Sequence, residues 1–183
     1  GEQAVSFVTE FKCHLFDAET DILHINSFNF EGDVCFNNVR DLSISNCTIK
    51  GSVKISNCKN VIINHVSIFD SICGLFIQNS VVTADNITIH HCIKALITFT
   101  NKSFLTLTHS SLHHSIHFGL FGNLQSQINI SECQISDIKF YCFICDNSLC
   151  YVKNCGFQNS EDDGISLLNV NDFRIENSIF SNL

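Results

Sequence analysis

Val53-Lys-Ile-Ser-Asn57-Cys-Lys-Asn-Val61-Ile-Ile63-Asn-His-Val66-Ser-Ile68 decides the fold of this chain. It holds three short runs in which apolar residues alternate with others: Val53 and Ile55, Val61 and Ile63, Val66 and Ile68. Alternation with a period of two marks strands with one buried face. An asparagine, Asn57, stands between the first two runs. The same arrangement returns along the chain around Asn38, Asn57, Asn79, Asn101, Leu124, Asp146 and Asn169, at gaps of 19, 22, 22, 23, 22 and 23 residues. Apolar residues recur four and two before each anchor (Ile97 and Phe99), four and six after it (Leu105 and Leu107), and ten or eleven after it (Ile89, Leu112, Ile135). Self-similarity at a fixed period sets the architecture before any other reading.

Three short strands per ~22 residues, with a polar residue repeated at one bend, predict an all-β, single-chain, right-handed parallel β-helix of about seven to eight coils. Residues 33–183 form the repeats, and residues 1–32 a cap or irregular first coil. The ladder residues Asn38, Asn57, Asn79, Asn101 and Asn169 are expected to stack, their side-chain amides bonding along the axis at a tight bend. Gly51, Gly74, Gly119 and Gly164 recur before the next coil and are expected there for a positive φ. The absence of Pro fits a chain in which each coil bonds to its neighbours, because Pro has no N–H to give.

Composition narrows the function. The 183 residues are 45% hydrophobic, enough for a continuous core, and only 15% charged. A net charge of −8 argues against a nucleic-acid groove, which needs clustered Lys and Arg. No apolar run approaches the ~20 residues that span a bilayer, so no membrane partner is expected. The chain starts at Gly1 without a signal-peptide pattern and has no Met, as a trimmed chain would. No cofactor is implied. Eleven cysteines cannot all pair within one chain. Cys47, Cys133 and Cys155 share one repeat position with Val66, Ser110 and Ser178, a small buried slot. Reduced core cysteines are therefore expected, with assembly in a reducing compartment or a virion.

The run Cys155-Gly-Phe-Gln-Asn-Ser-Glu-Asp-Asp-Gly-Ile-Ser-Leu-Leu-Asn169 resembles repeats of the pectin-lyase-like β-helix superfamily. That superfamily includes polysaccharide lyases and hydrolases, phage tailspikes, viral capsid proteins and non-catalytic scaffolds. The Cys-rich coils are similar to those of the adenoviral and atadenoviral β-helix capsid proteins. The resemblance implies the fold and leaves the activity open.

Three constellations compete for function. Asp162 and Asp163 resemble the paired aspartates of polygalacturonases, but the aspartate which that family also uses one coil earlier is missing: Tyr141 and Cys142 lie there. An acidic coil-closing turn is the simpler reading. His91 and His114 fall in a column with Asp70, Asp137, Asn159 and Asn182 and form a candidate metal site. Asn, Asp and His are also the side chains that best tolerate left-handed backbone, so a turn column would hold them without any metal. Phe76, Phe121, Phe143 and Leu168 are expected to face outward on the first strand of successive coils, and an exposed apolar stripe marks an interface. The leading expectation is a non-catalytic structural β-helix that associates with itself, as a trimer first, and with other structural proteins second. The alternatives are a polysaccharide hydrolase or lyase and an intracellular protein-binding scaffold.

Overall fold

The computed structural model describes residues 13–17, 22–162 and 164–183. These form twenty strands, with no helix among the described residues, and the paired strands run parallel. The chain winds as a solenoid of between seven and eight turns. Each turn lays one strand on each of three faces. The first face stacks Cys13–Asp17, Asp33–Asn37, Val53–Ser56, 75–78, 95–100, Phe118–Gly122, Phe143–Asp146 and Ile165–Leu168. The second runs from Ile22–Asn26 through Val81–Asp85 to Phe173–Glu176. The third runs from Asn29–Glu31 through Ser111–Ser115 to Ile179–Ser181.

The corners explain why this sequence turns where it does. Twenty-three described residues other than Gly have positive φ, between 46° and 61°, and eighteen of them are Asn, Asp or His. They fall into three columns, one per corner. The first holds Asn38, Asn57, Asn79, Asn101, Leu124, Asn147 and Asn169; the second Asn46, His65, Asn86, His109, Glu132, Asn154 and Asn177; the third Asp70, His91, His114, Asp137, Asn159 and Asn182. A single left-handed residue redirects the strand, and short polar side chains bear that conformation best.

The residue after most corners points inward and is small, Ile87 and Ile138 being larger exceptions. At the first corner these are Cys58, Ser80, Ser103, Ser126 and Ser148, each no more than 4% exposed. Each serine hydroxyl serves two coils. Ser80 Oγ accepts the Cys58 N–H (2.9 Å) and donates to the Gln78 carbonyl (2.7 Å). Ser103, Ser126 and Ser148 accept in turn from the backbone N–H of Ser80, Ser103 and Ser126. The bend leaves backbone donors without a ladder partner, and the hydroxyls supply one. At the second corner the slot holds Cys47, Val66, Ser110, Cys133 and Cys155, all buried, as the sequence phase anticipates.

The core is one column of Val, Ile, Leu and Phe, closed from Val34 to Phe157. Ile55, Ile77, Phe99, Leu120 and Phe143 lie along the first face with no exposed surface. Gly122 has its place because a Cβ there would sit 2.2 Å from the Phe99 ring.

Two sequence expectations are corrected. Asp146 does not occupy the corner: it pairs with Leu168, and Asn147 is the residue with positive φ. The two preceding corners each use two left-handed residues, Asn101–Lys102 and Leu124–Gln125, whereas this one uses Asn147 alone, so the spacing misleads by one. A slip of one residue exchanges inside and outside. Among the four glycines expected at positive φ, only Gly51 has it (147°). Gly74 is there for space, since a Cβ would meet Ile89 and the Leu96 carbonyl below 3 Å.

Ile55→Ala or Phe99→Ala is expected to cost about 2–5 kcal/mol in denaturant unfolding, because each opens a cavity between coils. Ser80→Ala is expected to cost about 1–3 kcal/mol, because it orphans the buried Cys58 N–H. Thr106→Ala, on the solvent side of the second face, is expected to stay within about 0.5 kcal/mol. Equal losses at Ile55 and Thr106 would contradict the assigned phase.

Candidate functional site

Among the expected ladder residues one pair bonds side chain to side chain, and the other exposed rungs run to the residue before the corner beneath. Asn79 Nδ2 donates to Asn57 Oδ1 (2.9 Å), Asn57 Nδ2 to Asn37 Oδ1 (3.2 Å) and Asn169 Nδ2 to Asp146 Oδ1 (3.3 Å). Asn38 and Asn101 hold the same corner through their backbone. The amides therefore tie coil to coil at the surface, while the serine slot behind them satisfies the buried backbone.

The carboxylate candidates separate. Asp163 lies outside the described residues. Asp162 is exposed, on the turn after Gly156–Ser160. The Glu161 N–H bonds the Ile138 carbonyl, which puts Lys139 and Phe140 one coil beneath Glu161 and Asp162. Among the described residues the position one coil beneath Asp162 holds Phe140 and not a second carboxylate.

The histidine column is brought together, with His90 and His113 added from the third face. His90 stacks on His113 (centroids 5.1 Å apart, planes 3° apart) and His91 on His114 (4.8 Å, 11°). Phe69 stacks on His90. Within each coil the two rings meet edge to face, and the Nδ1 atoms lie 2.6 Å apart in His90–His91 and 2.7 Å apart in His113–His114. Such a pair is an N–H···N hydrogen bond: one Nδ1 carries the proton and the other accepts. Parallel stacked rings send their lone pairs side by side rather than at a common point. Among the described residues no group of three His, Cys, Asp or Glu converges as metal ligands do. Burial, and then the neighbouring imidazoles, hold His90 and His113 below the ordinary histidine value. At the end of the column Asp137 accepts from Asn159 Nδ2 (3.0 Å) and Ser136 Oγ (2.8 Å), and these bonds hold its carboxyl below the usual range.

Another histidine does a different job. His109, at the second corner, reaches Asp85 through Nδ1 (2.8 Å) and Glu132 through Nε2 (3.1 Å), and the Asp85 bond raises its proton affinity. It clamps three coils.

The stripe is only partly as expected. Phe76 and Phe121 share an outward column with Thr98, and Ile144 continues it. Phe143 is in the core, fully buried, because the corner is Asn147 and not Asp146. Leu168 is exposed but stands in the adjoining outward column, stacked on Asp146. Sequence reading missed the larger apolar surface beside them. Ile72, Ile93 and Ile116, each at least half exposed, form a ridge just past the third corner. Next to it Phe118 packs on Phe121 and Tyr141, and His117 on Phe140. Ridge and ladder enclose a groove of about 720 Å³ lined by His91, His114, Asp137, Ile93, Ile116 and Lys139 among others. A signal existed: these isoleucines each follow a corner by two residues, a position no core phase requires.

Among the described residues eight cysteines are free thiols, six of them buried, and Cys145 and Cys150 form a disulfide inside the core. Burial pushes Cys92 and Cys142 up to about 11, so they behave as packing groups.

The profile described as the right handed beta helix region matches residues 32–180, and the chain belongs to that family. The solenoid is therefore right-handed and of the pectin-lyase-like type. No curated protein matches the sequence. Two solved structures show a likeness. ORF18 of Geobacillus virus E2 is 10% identical with a TM-score of 0.32; the match covers 98% of this chain and 56% of that protein. QnrB1, a plasmid-mediated fluoroquinolone resistance protein, is 11% identical with a TM-score of 0.18, over 84% of this chain and 91% of that one.

Titrating thiols in denaturant without reductant is expected to find at least eight per chain. One or none would instead indicate a disulfide framework.

Proposed function

We propose that this member of the right-handed β-helix family is a non-catalytic structural element that assembles with copies of itself through the surface at its third corner. One observation carries the reading. Ile72, Ile93 and Ile116, together with Phe76, Phe118, Phe121, Phe140 and Tyr141, make a continuous apolar and aromatic surface across four coils. The second face turns mostly polar side chains outward, Ser43, Thr106, Asn129 and Tyr151 with Arg174 and Lys153 beyond, and among the described residues its exposed Ile22, Ile62 and Val81 are not bordered by aromatic ring pairs as the third corner is. Apolar surface of that extent, rimmed by Lys94, Lys139 and Glu161, is what an interface looks like before its partner arrives.

A second copy is the favoured occupant. It offers the same coil spacing, so ridge and aromatic columns can meet rung for rung over the whole length. The surface wraps a corner and one adjoining face, and a wedge of that kind repeated by rotation closes into a ring. The trimer is the arrangement we favour. The resemblance to adenoviral β-helix capsid proteins makes a virion the favoured setting.

Burying a Phe-sized side chain contributes about 1.5–3 kcal/mol. Sedimentation velocity is expected to find an oligomer for the unaltered chain, and a monomer for Phe118→Asp with Phe121→Asp that keeps the β circular-dichroism signal. A monodisperse monomer for the unaltered chain would overturn the reading and favour a lone protein-binding scaffold.

A further inference from the structure

We infer that the imidazole quartet His90, His91, His113 and His114 is a proton-operated release for this assembly, each pair closed through one shared proton and forced apart when both rings are protonated. The inference rests on the self-association reading above and adds its regulation.

The geometry carries it. Each Nδ1–Nδ1 contact, 2.6 Å and 2.7 Å, has room for one proton between two nitrogens. A first added proton goes to the free Nε2 of the donor ring and leaves that bond in place, but protonating both rings sets two N–H groups against each other at that distance, so a doubly charged pair must swing apart. The pairs are not independent: each ring stacks on its counterpart one coil away at 4.8–5.1 Å, so charging one pair disfavours charging the next. His91 and His114 line the same groove as Ile93 and Ile116, so a rotated, charged imidazole moves into the assembly surface.

The charged neighbours do not neutralise a fully protonated quartet. Asp70 and Asp137 close the column at its two ends, and Asp33 shares the groove on the Asp70 side. Asp137 is already bonded to Asn159 and Ser136. Lys139 and Glu161 stand along the opposite groove wall, Lys94 adjoins Ile93, and His117 donates through Nδ1 to the Ile93 carbonyl (2.9 Å) while stacked on Phe140. Four imidazolium groups among these would place net positive charge against the same charge on the partner copy, beside a surface that must be dry.

The sign follows. His90 and His113 sit below the ordinary imidazole value, so protons are taken up more readily once they are released from the stack. Acidification therefore opens the stack within each chain, starting as pH falls through the ordinary histidine range near 6.5, and the displaced rings then enter the assembly surface.

Two measurements on the intact chain test this. Sedimentation velocity at about pH 7.5 and about pH 5 is expected to show association weakened at least about tenfold in acid for the unaltered chain. His90→Phe with His113→Phe keeps the stack on Phe69 but has no second titrating ring in either pair; its association is expected to change by less than about threefold. Should that variant not fold, His91→Asn with His114→Asn serves, since Asn bears the same positive φ, and the same insensitivity is expected. Histidine ring resonances followed by NMR are expected to show a non-additive, two-step titration for the quartet that collapses to independent curves in either variant. An oligomer equally tight at both pH values, or variants as acid-sensitive as the parent, would overturn this inference and leave the assembly reading standing. A monomer at about pH 7.5 would overturn both.

Discussion

The structure depends on backbone that turns left-handed three times per coil. Each corner with positive φ ends one strand and starts the next, and most are followed by a small side chain pointing into the bend. Without the first, the chain could not close a turn in ~22 residues. Without the second, a bend of buried peptide groups would lack partners. The hydroxyls of Ser80, Ser103, Ser126 and Ser148 meet the second need, being small enough for the slot and able to accept a backbone N–H from the neighbouring coil. Once corners repeat in register, the parallel ladders and the apolar column follow with little further specification.

This constraint also explains what stands on the outside. A corner column must be filled by residues that tolerate the left-handed region, and the sequence uses Asn, Asp and His. Stacking one coil apart then brings chemistry together as a by-product: asparagines into amide ladders, His109 between two carboxylates, and His91 over His114. The imidazole quartet exists because two successive coils place a histidine both at the corner and just before it. Function in such a scaffold is decided by which corner carries which side chains, since the interior is alike throughout.

Much of the fold was legible in the sequence for the same reason. The period, the strand phase and the small-residue slot containing Cys47, Cys133 and Cys155 all follow from alternation and spacing. The error at Asp146 arose where spacing ceased to be informative: two corners carry an additional left-handed residue, and a fixed gap cannot register that. The asparagine at 147, matching the anchors at 38, 57 and 79, was the better guide. The consequence was local, turning Phe143 into the core and putting Ile144, itself largely covered, in the column of Phe121. The isoleucine ridge went unread because Ile72, Ile93 and Ile116 follow the third corner by two residues, where the passage to the next face shifts the register and neither period two nor the core phase assigns a face. The edge-to-face histidine pairs depend on rotamers, which spacing does not encode.

What the account claims most directly is that copies meet on the third corner and its adjoining face. Hydroxyl-radical footprinting of the intact chain, compared between dilute and concentrated solution at neutral pH, tests this residue by residue. The account predicts protection on concentration at Phe118, Phe121, Phe140 and Tyr141, and at Ile93 and Ile116, with Tyr151 on the second face unchanged. Protection of Tyr151 with the corner still reactive, or no change anywhere, would contradict it.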